Sequence, residues 1–456
     1  MADEREKKAI LIVASLASFL VPYTGSSITV ALPAIGTQFG LDAVMLGWIT
    51  AAYIISAAVF IVPFGRLSDL IGRKRVFLWG VAIFTVAAFL SFLAPSPEVL
   101  ILARFIQGIG GAMLFATSTA IVAQVFPPGE RGRALGITVA AVYAGLSIGP
   151  FLGGVITDAF GWRSIFLINV PIGLVAIILA QRGIPGEWAD AGEKRFDLLG
   201  SFIYGIMLFS GIFGLVSLPN PLAFLWLGTG IITLFIFLWY EQRCTNPVLD
   251  AGIFLQNRTF TFSNIAAMIN YGATYAVAFL LSLYLQYGRG FSAEFAGLIL
   301  VAQPVVQTIF SPVAGRLSDR IEPRIVATAG MAMMTLGLLV FTFLSPDTTL
   351  ALIIGTLLWL GLGYALFSSP NTNAIMSSVK KEYLGIASGM VATMRSVGQV
   401  LSMAIAMLCF SVYLGTETIS SLNLAGFMTA VRVSFFIFTA LCALGIFASY
   451  VRGTIH

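Results

Sequence analysis

The chain has 456 residues, of which 58% are hydrophobic and 10% are charged, and its formal net charge is +5. A soluble protein carries about a quarter of its residues as charges, so this composition excludes a water-soluble globular fold. With one histidine, His456, and three widely separated cysteines, the sequence predicts no metal site, no disulfide framework and no cofactor.

Apolar runs of about 20 residues, the length of α-helix needed to cross a bilayer, recur along the whole chain. The runs do not alternate polar and apolar residues, which argues against a membrane β-barrel. We therefore predict an all-α integral membrane protein with fourteen spans, and we interpret the apolar N-terminus as the first span rather than as a signal peptide. In chain order the spans lie at about 9–33, 44–64, 76–94, 98–124, 134–158, 163–181, 198–217, 222–240, 260–286, 293–313, 325–344, 348–370, 384–412 and 429–451.

The distribution of lysine and arginine gives the orientation of these spans. Twenty of the 25 lie in the two termini and in every second connection, three lie in the other connections, and Arg104 and Arg395 fall inside spans. Because cytoplasmic connections carry the excess of positive charge, both termini are predicted to be cytoplasmic. The net positive charge is thus a topology signal, and no nucleic-acid partner is expected.

One short stretch, GRLSD, occurs twice, at Gly65 and again at Gly315. Each copy follows the second helix of a six-helix set on the cytoplasmic side, which predicts an internal duplication into two pseudo-symmetric bundles. A surplus pair of helices between the two sets gives a 6+2+6 arrangement. The predicted parts are an N-terminal six-helix bundle (1–182), a linker plus two additional helices (183–258) and a C-terminal six-helix bundle (259–456).

We expect the repeated stretch to act as a switch on the cytoplasmic side. Its glycine lets helices approach closely, and its carboxylate can contact a helix N-terminus or an arginine of the opposite bundle. Such a contact would close the cytoplasmic side and break when that side opens. The alternative is a charge cluster that sets topology and has no gating role. The predicted switch residues are Gly65, Arg66, Asp69, Gly72, Arg73, Lys74, Arg75, Gly315, Arg316 and Asp319.

Several motifs resemble those of the major facilitator superfamily. Residues 65–75 resemble its loop motif, 104–112 resemble its fourth-helix motif, and 145–154 resemble the fifth-helix motif of its exporters. The stretch WRSIFLINVPIG at 162–173 and the 6+2+6 plan are similar to the fourteen-span drug:proton antiporter family. This resemblance implies a major facilitator fold in a prokaryotic plasma membrane. It also implies multidrug efflux, the export of small hydrophobic or amphiphilic compounds by alternating access in exchange for protons.

Two of these motifs can be read physically as well. Four glycines share one helix face, and a proline among them favours a bend. The glycines are Gly145, Gly149, Gly153 and Gly154, and the proline is Pro150. Such a face packs helices closely, and the resemblance adds control of leak between the bundles. Arg104 is a charge inside a span, which is costly and usually functional. The resemblance gives it a role in proton transfer, and the alternative is a structural cation held by backbone carbonyls.

The chain departs from the fourteen-span family in its first helix. An aspartate is common there, but Thr24 occupies the aligned position, and no acidic residue lies at mid-depth in any predicted span. One interpretation is that protons couple through a peripheral acid, with Asp158 and Glu98 as candidates acting with Arg104. The other is that the chain is not coupled in the usual way and moves a lipophilic or anionic solute.

The resemblance places the substrate cavity between the bundles, on the first, fourth, seventh and tenth core helices. Neutral polar and aromatic side chains there suit an amphiphile, but the same side chains also serve helix packing. Arg395 either meets an anionic substrate or pairs with carbonyls. The cavity candidates are Tyr23, Thr24, Ser27, Gln107, Phe115, Asn264, Asn270, Tyr271, Tyr275, Tyr364, Phe367, Asn371 and Arg395.

Other functions stay open alongside export. A lipid or lipid-linked glycan translocator can use the same fold, a membrane sensor would not transport at all, and a nutrient importer is disfavoured by the exporter glycine motif. No phosphate-binding loop followed by a Lys-Ser/Thr pair is present, so ATP is not expected as the energy source. The expected partners are a small-molecule substrate, protons and the lipid bilayer, and the chain is expected to be a monomer and not an enzyme.

Overall fold

A computed structural model describes residues 4–126, 128–184, 196–244, 257–318, 320–379 and 384–453. These residues are almost entirely helical, and none of them forms a β-strand. Within this described part, fourteen helical segments are long and apolar enough to cross a membrane, which confirms the predicted number of spans. The predicted switch residue Asp319 and parts of the predicted linker lie outside the described residues.

In the first half of the chain, capping side chains mark the starts of several helices. The Asp42 carboxylate accepts a hydrogen bond from the Met45 N–H (2.7 Å), and Asp197 accepts one from the Gly200 N–H (2.8 Å). Gly72, with a φ of 112°, separates the second helix from the third in a conformation that glycine adopts readily. In chain order the helices are α1 (Glu4–Phe39), α2 (Ala43–Ile71), α3 (Arg73–Leu93), α4 (Pro97–Val125), α5 (Pro128–Phe160), α6 (Arg163–Gly183), α7 (Leu198–Val216) and α8 (Pro221–Glu241).

The second half of the chain contains shorter helices, because two of its spans are divided. In chain order they are α9 (Arg258–Thr274), α10 (Val277–Leu283) with a π-helical turn (Tyr284–Gly288), α11 (Ala293–Leu300), α12 (Ala302–Ser318), α13 (Pro323–Phe341), α14 (Leu350–Ser377), α15 (Leu384–Leu414), a 3₁₀ turn (Ser421–Asn423) and α16 (Leu424–Val451).

Both divided spans were expected to be continuous helices. Between α9 and α10, the Ser402 hydroxyl accepts a hydrogen bond from the Ala276 N–H (3.0 Å), so a side chain satisfies a backbone donor at the break. Between α11 and α12, Pro304 lacks the N–H that a continuous helix would direct at the Leu300 carbonyl. Such interruptions are tolerated in a membrane where the protein itself supplies partners for the backbone.

Equivalent helices of the two halves pack in the same pattern. In the first half, α1 packs on α5 and α6, α4 packs on α2 and α3, and α3 packs on α6. In the second half, α9 packs on α15 and α16, α14 on α12 and α13, and α13 on α16. At one repeated crossing, glycines meet: a methyl group on Gly110 would lie 2.8 Å from the Gly80 carbonyl oxygen, and one on Gly330 would lie 2.6 Å from the Gly363 carbonyl oxygen. Repeated packing of this kind agrees with an internal duplication.

The two additional helices lie against the seam between the bundles. α7 contacts α2 of the first half and α15 of the second, and α8 contacts α7. The buried Tyr204 hydroxyl of α7 shares a hydrogen bond with the Thr393 hydroxyl of α15 (3.3 Å). On the other side of α7, Phe213 lies against Trp48 of α2, with ring centroids 5.3 Å apart. Thus α7 connects both halves, whereas α8 exposes large apolar side chains such as Phe235.

Candidate functional site

On the side of the membrane opposite the two termini, hydrogen bonds join the two bundles. Pro33 has no N–H, so the Thr29 carbonyl of α1 lacks its helical donor, and the Ser282 hydroxyl of α10 donates to it instead (2.9 Å). Nearby, Gln286 donates from its Nε2 to the Val30 carbonyl (3.0 Å). The proline therefore frees an acceptor on α1 that the second bundle uses, and the bundles are closed against each other here.

The bundles also meet on the outer side where α5 of the first bundle crosses α11 of the second, a contact that we call the α5–α11 seam. Gly154 lies against the start of α11 and Gly297 lies against the Pro150 carbonyl, so the helices cross with almost no side chain between them. At the end of the crossing, the Asp158 carboxylate accepts a hydrogen bond from the Glu294 N–H (2.8 Å) in the first turn of α11. The dipole of α11 stabilises a carboxylate at this position, so Asp158 holds the two bundles together on the outer side.

The other glycines of the predicted exporter motif face α1 within the first bundle. A methyl group on Gly145 would lie 2.6 Å from the Phe19 carbonyl oxygen, and one on Gly153 would lie 2.6 Å from the Ser27 carbonyl oxygen. Gly149 lies in the same crossing. Most of the motif therefore packs α5 against α1, while its last glycine reaches the second bundle.

Beneath this closed layer lies a cavity of about 460 Å³. Its walls come from α1, α2, α4 and α5 of the first half and from α9 to α12, α14 and α15 of the second. Thr29 and Phe279 lie at its closed end, whereas Ala17 lies nearer the end of α1 that faces the side of the termini. Phe115 and Val139 line the cavity and are nevertheless exposed. The protein is therefore in an inward-facing conformation, closed outside and accessible from the cytoplasmic side.

Five of the predicted cavity residues line this space. They are Phe115 on α4, Tyr271 on α9, Tyr275 at the break between α9 and α10, Tyr364 on α14 and Arg395 on α15. The rings of Tyr271 and Tyr364 meet edge to face, with centroids 5.6 Å apart. The aromatic and polar character expected of the cavity is therefore present in these five.

The structure places the other eight candidates outside the lining, in contrast to the expectation. The Thr24 hydroxyl donates to Asn169 Oδ1 on α6 (3.1 Å), and the Asn371 side chain donates to the Ser263 carbonyl (3.0 Å), so both serve contacts within a bundle. Neutral polar residues stabilise helix contacts in lipid as well as cavities, and composition does not separate the two roles. The eight are Tyr23, Thr24, Ser27, Gln107, Asn264, Asn270, Phe367 and Asn371.

Several lining residues were not singled out from the sequence. Tyr143, Leu146 and Pro150 recur at spacings of three and four residues along α5, so helical periodicity could have indicated this face. Gln303 and Gln307 lie on α12, where the broken span hides the phase of the helix, and Gln399 lies on the continuous helix α15. The missed residues are Tyr53, Tyr143, Gln303, Gln307 and Gln399.

Arg395 is the charged residue of the lining within the described part of the chain. Its guanidinium carbon lies 5.1 Å from the centre of the Tyr271 ring, and its Nε has no hydrogen-bond partner. A cation over an aromatic ring is held less strongly than one hydrogen-bonded to a carboxylate. The guanidinium is therefore available to a molecule bound in the cavity.

Arg104 on α4 is fully buried behind the lining. Its Nη1 donates to Gln107 Oε1 (2.5 Å) and its Nε donates to the Ile49 carbonyl (3.4 Å). Its guanidinium lies 4.3 Å from the centre of the Tyr53 ring, which lines the cavity, and its Nη2 has no partner. The hydrogen bond to the Ile49 carbonyl matches the alternative of a structural cation held by backbone carbonyls. The contact with Tyr53 leaves only that ring between the positive charge and the cavity.

The first copy of the predicted switch forms its ion pair within one bundle. Asp69 accepts hydrogen bonds from Arg73 Nη2 (2.8 Å) and Nε (3.0 Å), and Arg73 Nη1 also approaches Gln124 Oε1 of α4 (3.3 Å). The expected partner of Asp69 was a helix N-terminus or an arginine of the opposite bundle. That contact is expected only when the cytoplasmic side is closed, so it stays a prediction for that state; in the inward-facing state Asp69 pairs with Arg73 of its own bundle.

The two copies of the repeated stretch share their local geometry. The Ser68 hydroxyl donates to the Gly65 carbonyl (2.7 Å), and the Ser318 hydroxyl donates to the Gly315 carbonyl (2.7 Å). A methyl group on Gly315 would lie 3.0 Å from Ser369 Oγ, whereas one on Gly65 would make ordinary contacts. Close helix approach is thus seen at the second copy in this conformation. The remaining charged switch residues lie at the cytoplasmic ends of α2, α3 and α12, namely Arg66, Lys74, Arg75 and Arg316.

Comparison with known proteins adds information independent of the geometry. A family model described as Major Facilitator Superfamily matches residues 14–242 and 264–454. The riboflavin transporter RibZ of Clostridioides difficile is 32% identical, over 97% of this chain and 96% of its own. The multidrug resistance protein Stp of Mycobacterium tuberculosis is 33% identical, over 88% of this chain and 75% of its own. The cephamycin export protein CmcT of Amycolatopsis lactamdurans is 32% identical, over 87% and 83%.

The fold also resembles a solved structure. A bacterial homolog of the human lysosomal transporter Spinster, in an inward-facing and unoccupied conformation, superposes with a TM-score of 0.70. The match covers 99% of this chain and 98% of the other at 16% sequence identity, so it bears on the fold alone.

Proposed function

The chain belongs to the Major Facilitator Superfamily, and from that premise we propose that it exports small hydrophobic or amphiphilic compounds by alternating access. The observation that carries the proposal is the cavity of about 460 Å³ between the bundles, closed outside and accessible from the cytoplasm. Aromatic rings and a few polar groups line it, the combination that holds a small organic molecule. An exporter must load its substrate from this side.

The names of the relatives support a small organic substrate. Stp is named for multidrug resistance, CmcT for cephamycin export and RibZ for riboflavin transport. The name of CmcT states export and that of Stp states drug resistance, which favours export over uptake. CmcT and RibZ are named for different molecules and Stp for none in particular, so a panel of compounds is needed to find the substrate of this chain.

We further propose that protons drive export through Asp158. In its ionised form, the carboxylate accepts the Glu294 N–H at the N-terminus of α11 and closes the α5–α11 seam. Protonation from the outside removes the negative charge that this helix end stabilises, so the seam opens more easily. Asp158 and the other candidate, Glu98, are both exposed and both lie outside the cavity lining, but Asp158 contacts the opposite bundle, whereas Glu98 lies in the first turn of α4.

Purified protein in sealed vesicles with an imposed pH gradient tests both proposals. A panel of cationic, neutral and anionic amphiphiles, including riboflavin, is added while lumenal pH and substrate movement are followed. We expect protons to move opposite to substrate in the wild type. In Asp158→Asn, we expect the proton movement to disappear while exchange of labelled for unlabelled substrate continues. Glu98→Gln, a matched change in an exposed acid, should retain both activities.

Each outcome of this experiment bears on a different part of the proposal. Substrate movement without proton movement in the wild type would contradict proton exchange and leave export standing. Lack of movement of every compound would contradict export. Movement of fluorescent lipids in the same vesicles, in place of the panel, would favour the lipid translocator.

A further inference from the structure

We propose that the exported molecule bears an anionic group, a carboxylate, sulfonate or phosphate joined to an apolar ring system, and that Arg395 binds this group. The inference rests on the proposed function, because it names the substrate class of the same cavity. It follows from the way Arg395 is held, from the charge balance of the lining and from the aromatic groups around the guanidinium.

Arg395 is held differently from arginines that serve the structure. Arg432 donates from its Nε to the Leu344 carbonyl (2.6 Å), and Arg163 donates to Gln38 Oε1 (2.8 Å) and to the Ala94 carbonyl (2.9 Å). The Nε of Arg395 is buried but has no acceptor in the protein. Because an unsatisfied donor on a buried charge is costly, its persistence in a cavity wall indicates an acceptor that arrives with the ligand.

The charge of the cavity is not balanced by the protein. Among the described residues that line it, Arg395 is charged and none is acidic. Arg104 adds a second cation behind Tyr53, whereas the ion pairs of Lys7 and Arg73 lie outside the cavity lining. Charges attract more strongly in a low-dielectric cavity than in water, so this cavity favours an anion and disfavours a cation.

Three tyrosines complete the anion site. Tyr143, Tyr271 and Tyr364 line the same cavity as Arg395. The Tyr271 ring lies 5.1 Å from the guanidinium carbon and meets the Tyr364 ring edge to face, which limits the orientations open to the arginine. A planar guanidinium presents paired donors to carboxylate or phosphate oxygens, and phenol hydroxyls can add further donors.

The rest of the lining fits an apolar body attached to the anion. Aromatic rings at Phe115, Tyr53, Tyr275 and Phe279 come from both bundles, and the cavity volume of about 460 Å³ is that of a site for a drug-sized molecule. A small inorganic anion would leave these rings without contacts. The geometry therefore points to an amphiphilic organic anion.

The test uses three probes that differ mainly in charge. A fluorescent naphthalene carboxylate, its methyl ester and the corresponding trimethylammonium compound are measured for binding by calorimetry and for transport in vesicles. We expect the wild type to bind the carboxylate about ten-fold more tightly than the ester, because a hydrogen-bonded charge contributes about that much. We expect Arg395→Gln to weaken carboxylate binding by about ten- to a hundred-fold and to leave the ester within about two-fold.

Two further variants separate charge recognition from structural damage. Arg395→Lys keeps the charge without the planar fork, so it should retain a preference for the carboxylate over the ester, at reduced affinity. Arg289→Gln removes the same charge near the outer Phe291 and should leave all three affinities unchanged. Both read out selectivity rather than total activity, so a loss of folded protein does not imitate the expected result.

The outcomes for the inference and for the proposed function are distinct. A wild type that binds all three probes equally, or binds the cation best, would overturn the inference, while transport of the ester or cation would still support export. A wild type that binds the carboxylate preferentially but moves none of the probes or panel compounds would overturn export and keep the anion site. An unchanged preference in Arg395→Gln would remove Arg395 from the site.

Discussion

Arg104 and Arg395 place two positive charges among the spanning helices with no acidic partner within the described chain. A charge in this environment is expensive, and a buried ion that is incompletely hydrogen-bonded contributes little to stability. Arg104 has one side-chain acceptor, one backbone acceptor and the Tyr53 ring, and its Nη2 has no partner. We infer that Arg104 is retained for its effect on the cavity rather than for folding.

Replacing Arg104 by methionine separates these two roles. We expect Arg104→Met to change the free energy of unfolding by less than about 1 kcal/mol, because lost hydrogen bonds are offset by the removal of a desolvated charge. We expect transport to fall by about ten-fold or more, the usual consequence of removing a functional charge inside a span. Stability is measured by denaturant or thermal unfolding in detergent, and transport is measured in vesicles per folded molecule.

A control arginine defines the opposite behaviour. Arg163 donates to Gln38 Oε1 (2.8 Å) and to the Ala94 carbonyl (2.9 Å) at the outer surface, so its groups are satisfied and lie away from the cavity. Arg163→Met should lower stability by about 1 kcal/mol through lost hydrogen bonds and leave the transport of the folded fraction intact. A large loss of stability in Arg104→Met with normal transport would instead establish Arg104 as a structural cation.

At the scale of the helices, hydropathy was sufficient to predict the spans, because a chain in lipid must satisfy its backbone within each segment. The duplicated GRLSD stretch was sufficient to predict two similar halves. The breaks after α9 and α11 were not predictable in the same way. One depends on a tertiary hydrogen bond between Ser402 and Ala276, and a proline such as Pro304 also occurs in spans that continue through it, as Pro150 does in α5.

The cavity lining was predicted only in part, for a related reason. In a soluble helix, polarity marks the exposed face, but in lipid a polar side chain faces either a cavity or a neighbouring helix. Thr24 and Tyr275 look alike in this respect, yet Thr24 donates to Asn169 within the first bundle and Tyr275 lines the cavity. The rotation of each helix about its axis decides whether a polar side chain faces the cavity or a neighbouring helix, and packing between helices sets that rotation.

The α5–α11 seam yields a prediction about conformational balance. A methyl group on Gly154 would lie 2.7 Å from the Glu294 Cα atom, so Gly154→Ala must push α5 and α11 apart in the outer-closed state. We expect the variant to favour the outward-open state, seen as faster reaction of a cysteine introduced at Ser282 with a membrane-impermeant maleimide added outside. A shift of about 1 kcal/mol, common for overpacking, would speed labelling by about five-fold.

The matched control lies on the same helix. Gly136 has nothing within 4 Å of an added methyl group, so Gly136→Ala should leave the labelling rate unchanged. It should also slightly stabilise the helix. Equal labelling of the Gly154 and Gly136 variants would show that this crossing does not separate when the outer side opens.

At the scale of the whole molecule, the two seams between the bundles differ. α7 lies along the seam between α2 and α15, where Tyr204 and Thr393 meet, and no equivalent described helix packs across the contact of α5 with α11 and α12. A motion that opens the outer side must therefore slide α7 over at least one bundle or carry it with the other. This placement gives the additional pair a structural role that its uncharged sequence did not indicate.

The two-bundle arrangement makes a direct prediction about motion. Ser147 on α5 and Thr308 on α12 belong to different bundles, and their hydroxyl oxygens lie 3.3 Å apart. A disulfide between Ser147→Cys and Thr308→Cys should hold the bundles in the inward-facing state and stop transport, and reduction should restore it. The background for this experiment has the native cysteines replaced, namely Cys244, Cys409 and Cys442.

The control cross-link lies inside one bundle. The Thr328 hydroxyl donates to the Ser449 hydroxyl (3.0 Å) between α13 and α16, which move together if each bundle is rigid. A disulfide between Thr328→Cys and Ser449→Cys should therefore form as readily and leave transport within about two-fold of the reduced protein, because it adds no constraint between rigid bodies. Normal transport with the Ser147–Thr308 pair cross-linked would contradict alternating access by movement of one bundle against the other. Loss of transport with both pairs would place the motion inside the bundles, between helices such as α13 and α16.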